Sequence, residues 1–219
     1  MELWLDTAEV TAIREIAAWG VLRGVTTNPT LIGSAGAPFR QRLKEICSIV
    51  EGPVCGEVLA TETDEMLSQG RELAAIAPNL VVKLPITPAG LAACTQLRSE
   101  GIQTNLTLCF SVNQAILVAE ADATYVSPFL GRVDDTGNDG TALLAEIIEA
   151  YRTQGYPTKV LAASLRSAQH VADAARLGAD VATMPESVFR ALVKHPLTDI
   201  GLRRFLDDWK ASGLSFDEA

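Results

Sequence analysis

Short apolar, β-branched runs alternate along the chain with stretches whose apolar positions recur every three or four residues. The first pattern predicts strands and the second amphipathic helices. Glu2–Asp6 reads as a strand, and Thr7 is placed to cap a helix carrying Val10, Ile13, Ile16 and Ala17 on one face. Gly24–Thr27 is a second strand, followed by Asn28-Pro29 and a helix around Phe39–Val50. Pro53–Leu59 and the helix Thr63–Ala75 come next. The apolar run Asn79–Thr87 is then followed by a helix that Pro88 opens, with Leu91, Cys94 and Leu97 at helical spacing. Gln103–Cys109 precedes a helix from Ser111. Ala123–Pro128 precedes a long loop through Gly131–Gly140 and a helix with Leu143, Ile147 and Tyr151 down one side. Lys159–Ser164 leads to a helix capped by Ser167, and Val181–Met184 to a helix over Glu186–Lys194. A last amphipathic helix spans about Ile200–Lys210.

Strand-then-helix units that repeat without a linker imply parallel strands. Right-handed crossovers close eight of them into a barrel. The expected fold is therefore α/β: a single-domain (β/α)8 TIM barrel with an additional C-terminal helix over residues 1–210, and a flexible tail at 211–219. The runner-up, an open doubly wound sheet, would favour a Gly-rich phosphate turn after the first strand. Asp6-Thr7-Ala8-Glu9 is not one.

Composition narrows the function classes. The chain has 219 residues, 48% of them hydrophobic, so it can bury a core without disulfides. No apolar run approaches the roughly 20 residues of a membrane span, and Met-Glu-Leu-Trp-Leu-Asp does not read as a signal peptide. A cytoplasmic protein with no membrane partner is expected. The net charge of −9 argues against nucleic acid, though not against a small anion in a local basic pocket. Cys47, Cys55, Cys94 and Cys109 lack CxxC spacing and read as small buried hydrophobes. His170 and His195 are isolated from each other and no cysteine pair accompanies them, so no metal site is expected.

Against that background Lys83 stands out. It lies in Asn79-Leu-Val-Val-Lys-Leu-Pro-Ile-Thr87, near the carboxyl end of a run that reads as a buried strand. Lys44, Lys194 and Lys210 fall in polar helical contexts, and Lys159 opens a strand. A buried ammonium must find a partner, reach water or lose its proton. At an ordinary pKa of about 10.4, roughly one lysine in a few thousand is neutral at pH 7. Desolvation or a neighbouring cation makes the neutral amine plentiful enough to attack a carbonyl.

A barrel gathers its chemistry at the carboxyl ends of its strands. Those ends offer Asp6, Thr26, Thr27 and Asn28, then Glu57, Lys83, Asn105 and Thr107, then Ser127 with Arg132 beyond it, and Ser164 and Arg166. The eighth strand ends in Met184-Pro185, with nothing polar to add. Arg132, Ser164 and Arg166 could converge on one anion, since arginine's planar fork suits phosphate. Either arginine alone reads equally as a surface ion pair. Asp6 and Glu57 could move protons for an amine attacking a ketone. Alternatively they pair with Lys83 and hold it charged, so their distances from it decide.

The same residues carry a resemblance. Leu5-Asp6-Thr7, Gly24-Val25-Thr26-Thr27-Asn28-Pro29-Thr30, Val82-Lys83-Leu84-Pro85, Thr104-Asn105-Leu106-Thr107, Ser127-Pro128-Phe129-Leu130-Gly131-Arg132 and Ala162-Ala163-Ser164-Leu165-Arg166 resemble the transaldolase family, most closely its short single-barrel members. The resemblance runs from Met1 to about Trp209 and includes His195-Pro196-Leu197-Thr198-Asp199. It implies transfer of a dihydroxyacetone unit from sedoheptulose 7-phosphate to glyceraldehyde 3-phosphate, within the pentose phosphate pathway and without a cofactor. Lys83 would then form a Schiff base, and Asp6 would handle the proton of the hydroxyl beside the breaking bond. Glu57 and Thr107 would hold a water. Asn28, Asn105 and Ser127 would bind the donor's hydroxyls with Phe129 alongside, and Arg132, Ser164 and Arg166 the phosphate. Short members of the family are ring-built homo-oligomers, pentamers or decamers, in which the last helix reaches a neighbour; Ile200–Trp209 fits that contact or packing beneath its own barrel.

Two other functions compete. Fructose-6-phosphate aldolases of the same family release free dihydroxyacetone, but resemble this chain less at two positions, with glutamine for Glu57 and tyrosine for Phe129. A catalytically silent barrel would bind sugar phosphates without a covalent adduct.

Overall fold

The computed structural model describes residues 1–36 and 38–216. In chain order, β1 (Glu2–Asp6) leads to α1 (Val10–Ala17), and β2 (Gly24–Thr26) to α2 (Pro29–Ser34) and α3 (Phe39–Ile49). β3 (Val54–Glu57) leads to α4 (Thr63–Ala74), β4 (Leu80–Pro85) to α5 (Pro88–Ser99), and β5 (Thr104–Cys109) to α6 (Val112–Glu120). β6 (Tyr125–Pro128) leads to α7 (Leu130–Asp134) and α8 (Gly140–Gln154), and β7 (Lys159–Ala162) to α9 (Ala168–Leu177). β8 (Val181–Met184) leads to α10 (Glu186–Ala191) and α11 (Pro196–Ser212). Every strand pairs in parallel with its neighbours in sequence, and β8 closes on β1. The chain is a (β/α)8 barrel with a further C-terminal helix, as the alternation of patterns predicts.

Local signals explain most boundaries. Thr87, Ser111 and Ser167 cap α5, α6 and α9 by accepting from the N–H groups of Gly90, Gln114 and His170. Gly155 and Gly178 end α8 and α9 in the left-handed conformation. Four expectations are corrected. Thr7 does not cap α1: its hydroxyl accepts from Glu9 N–H at 3.2 Å, and Glu9 precedes the helix without a side-chain cap. Asn28-Pro29 opens α2, a helix hidden by its single buried residue, Ile32. The loop expected through Gly131–Gly140 begins with α7, too short to show a period. α10 stops at Ala191, not Lys194.

Two apolar sets follow from the period of two along each strand. Leu5, Val25, Val54, Val82, Leu106, Val126 and Ala182 face outward under the helices. Trp4, Cys55, Val81, Tyr125, Leu161 and Val181 fill the barrel, with Trp4 and Tyr125 edge to face at 5.3 Å between centroids. Gly24 makes room for this plug, because a Cβ there would lie 2.5 Å from the Trp4 ring.

α11 buries none of its residues, so it does not pack beneath its own barrel. Leu197, Leu202, Phe205, Leu206 and Trp209 are all exposed on it. The tail expected from 211 begins inside this helix, which ends on Gly213 at φ 68°; its residues 217–219 lie outside the described residues. Among the described residues no helix is long and apolar enough to cross a membrane.

Candidate active site

Two residues beyond the apolar plug the inward layer turns polar on five strands, while on β7 Leu161 is succeeded by Ala163. Trp4 is succeeded by Asp6, Cys55 by Glu57, Val81 by Lys83, Tyr125 by Ser127 and Val181 by Thr183. Register aligns Glu57 with Lys83 and Lys83 with Asn105 across three adjacent strands. A polar ring thus sits on an apolar floor at the carboxyl end of the barrel. Asp6, Asn28, Lys83, Ser127, Phe129, Arg132 and Ser164 line a cavity of about 100 Å³ there, together with Thr26 and Thr183. Ligand pockets usually span roughly 300–1,000 Å³, so a ligand larger than a few heavy atoms would keep one end in the open mouth.

Lys83 is 5% exposed. Its Nζ lies 3.0 Å from Glu57 Oε2 and donates to the Thr27 carbonyl at 3.1 Å. Among the described residues its ion pair is with Glu57 and not with Asp6. One of the two acids therefore pairs with the lysine, and the other stands apart from it. The same 3.0 Å contact also lies within the range for direct proton transfer.

Asp6 is held differently. Its Oδ1 accepts from Thr26 Oγ1 at 2.7 Å, and Thr26 Oγ1 lies 2.7 Å from Thr183 Oγ1. Burial pushes the Asp6 carboxyl above the usual carboxylate range, against the opposing pull of Lys83, the Thr26 hydrogen bond and Arg132. An acid in that state gives up and takes back a proton nearer neutrality than an exposed aspartate does.

The amides and hydroxyls fall into two groups. Asn105 is fully buried; its Oδ1 accepts from Ser127 Oγ at 2.8 Å and its Nδ2 faces Cys55 Sγ at 3.5 Å. Thr107 Oγ1 is buried and has no hydrogen-bond partner among the described residues, which suits a hydroxyl meant for a water or a ligand. Asn28 caps α2 through Oδ1, accepting from Leu31 N–H at 2.9 Å, which leaves its Nδ2 as the donor it can offer the cavity.

The three residues expected on an anion are not equivalent. The Arg132 guanidinium lies over the Phe129 ring at 5.1 Å, with Ser164 across the cavity. Ser164 sits in the left-handed region at φ 57°, unusual for serine, and its carbonyl accepts from Gly131 N–H at 3.0 Å. A Cβ on Gly131 would lie 2.4 Å from that oxygen, so only glycine allows α7 and this turn to approach. Arg166 does not line the cavity: both its Nη groups bind the two oxygens of Asp135. An anion reaching Arg166 has to share that fork or displace Asp135.

Thr183 is the residue that sequence reasoning missed. The tip of the eighth strand, Met184-Pro185, adds nothing polar, and the expectation rested on that tip alone. Met184 faces outward into the helix layer, while Thr183, two residues beyond Val181, faces in. The period of two was the available signal.

The family profile described as Transaldolase/Fructose-6-phosphate aldolase matches residues 3–216. A protein of Thermus thermophilus named Probable transaldolase is 59% identical over 219 residues, covering 96% of this chain and 98% of that one. One of Rhodospirillum centenum with the same name is 54% identical over 214 residues, covering 97% and 93%. Among solved structures, the carboxyl transferase domain of Rhizobium etli pyruvate carboxylase superposes at a TM-score of 0.63 with 12% identity, covering 84% of this chain and 39% of that one. Thiamine phosphate pyrophosphorylase from Pyrococcus furiosus gives 0.57 with 15% identity, covering 84% and 85%. These two share the barrel fold.

Proposed function

The chain belongs to the transaldolase/fructose-6-phosphate aldolase family of enzymes, and from that premise we propose that it transfers a dihydroxyacetone unit between sugar phosphates through a Schiff base on Lys83. The donor is sedoheptulose 7-phosphate, the acceptor glyceraldehyde 3-phosphate, and the products are erythrose 4-phosphate and fructose 6-phosphate. The observation that carries this reading is a lysine only 5% exposed that lines the cavity, its nitrogen 3.0 Å from a carboxylate.

The placement of these groups supports the following steps. Glu57 Oε2 takes the proton that frees the amine. Nζ adds to the donor's ketone carbon, and water leaves to form the iminium. Asp6 then removes the proton of the hydroxyl beside the scissile C–C bond. That bond breaks, its electron pair moves into the iminium to give an enamine, and an aldehyde departs. The enamine adds to the acceptor aldehyde as Asp6 returns the proton, and water from the Glu57–Thr107 side hydrolyses the new imine. Asn28, Asn105 and Ser127 hold the donor's hydroxyls. Arg132 and Ser164 hold the phosphate, with Arg166 joining at the mouth.

Free dihydroxyacetone separates transfer from aldol cleavage. With fructose 6-phosphate alone, little is expected; adding erythrose 4-phosphate should yield sedoheptulose 7-phosphate. Copious release without an acceptor would make the protein an aldolase instead.

The Thr107 hydroxyl offers a second check. Thr107→Val removes a buried hydroxyl that bonds nothing among the described residues, so the melting temperature should hold or rise by a few degrees. Turnover should fall about 10- to 100-fold as imine formation and hydrolysis slow. Unchanged turnover would remove Thr107 from the water site.

The exposed apolar residues of α11 fit contact with a second copy of the chain. A monomeric mass by analytical ultracentrifugation would count against that assembly.

A further inference from the structure

We propose that Thr183 is a positioning residue of this site: the first donor in a hydrogen-bond chain, Thr183 to Thr26 to Asp6, that orients the Asp6 carboxylate and leaves its Oδ2 for the substrate hydroxyl. The inference rests on the reading of Asp6 as the group that moves that proton.

Counting protons fixes the direction of the chain. A threonine hydroxyl has one proton to give. Thr26 gives its proton to Asp6 Oδ1 at 2.7 Å. The 2.7 Å contact between Thr26 and Thr183 can then be satisfied only by the Thr183 proton. Thr183 is 2% exposed, and that contact is its hydroxyl's hydrogen bond among the described residues. Three adjacent strands carry the chain, because β8 and β2 both pair with β1. All three side chains lie in the inward layer, and both threonines are β-branched and stiff at χ1. An Asp6 fixed in this way cannot swing its carboxylate toward Lys83 and form a second ion pair.

The chain also acts on the carboxylate's charge. Lys83 from β4 and Arg132 from α7 favour the ionised form of Asp6, burial opposes it, and the Cys55 thiol on β3 faces the same space. Hydrogen bonds in series polarise one another, so Thr26 donates more strongly when it also accepts from Thr183. Removing the Thr183 hydroxyl weakens that donation, and the carboxyl should hold its proton to higher pH.

Thr183→Val tests this in the full-length protein by its pH–rate profile. The acid limb of kcat/KM is expected to move up by about half a pH unit, with a loss in kcat of about 10-fold at neutral pH. Borohydride trapping of fructose 6-phosphate on Lys83 should persist. Thr183→Ser should restore both limb and rate, which a mere packing role for the methyl group would not produce. Thr26→Val should move the limb further in the same direction, and the double variant should show no more than Thr26→Val alone. Should Thr183→Val fail to fold, Thr183→Ala carries the same test. An unmoved acid limb, a serine variant no better than valine, or additive effects of the two substitutions would overturn the proposal. If Asp6→Asn keeps full activity, this inference falls together with the role of Asp6; if Asp6→Asn is inactive while Thr183→Val is normal, only this inference falls.

Discussion

Lys83→Ala should abolish the borohydride-trapped adduct with fructose 6-phosphate and lower turnover on the order of 10⁴-fold or more, because no other group can form the iminium. Lys44, Lys159, Lys194 and Lys210 lie outside the cavity, so none is placed to substitute. Mass spectrometry of the reduced wild-type protein should locate the added mass on the peptide carrying Lys83. The fold should survive with reduced stability. Glu57 loses its partner, and breaking a buried pair costs about 3–5 kcal/mol. The Glu57 side chain is 15% exposed, so water or a proton can relieve part of that cost. Circular dichroism would confirm the folded state. An adduct that persists in a folded Lys83→Ala protein would place the nucleophile elsewhere.

Asp6→Asn should move activity and stability in opposite directions. The amide cannot take a proton from the substrate hydroxyl, so kcat/KM should drop about 10²- to 10⁴-fold. Imine trapping on Lys83 should remain, since that step uses the other acid. For stability, burial raises the Asp6 carboxyl in the folded state above its unfolded value. Between the two values the folded protein binds more protons than the unfolded chain, so stability falls as pH rises through that window. Above it, the unfavourable ionisation is present in full. Asn is neutral at every pH and its Oδ1 can still accept from Thr26. The variant should therefore melt higher than wild type at neutral pH, and the difference should vanish as pH falls below the ordinary aspartate range. Thermal melts at several pH values measure this directly. A variant less stable than wild type at neutral pH would mean that the attraction of Lys83 and Arg132 outweighs burial.

Several site features were legible because they obey local rules. Lys83 announces itself as a charge within a run of Leu and Val. Asp6 and Glu57 end their strands, each two residues beyond an apolar residue of the plug, Trp4 and Cys55. The phosphate residues were only partly legible. Arg132 and Ser164 share the cavity, whereas Arg166 is taken up by Asp135, a residue 31 positions away in the chain that no motif ties to it. Thr183 escaped because the strand tip stands in the sequence where the inward face matters. α2 and α7 escaped because six and five residues are too few to reveal a helical period.

By itself, the sequence determined the alternation of strands and helices, hence the parallel closed barrel, and which residue types stand near its carboxyl mouth. Those properties follow from steric and solvation preferences that act within a few residues of chain. Only the tertiary structure decided which of two acids touches the lysine, which arginine lines the cavity, and that Thr183 completes a chain to Asp6. Each of those is a distance between different strands or loops. Such distances are set by barrel register and by close approaches such as Gly131 to Ser164, and local preference does not encode them.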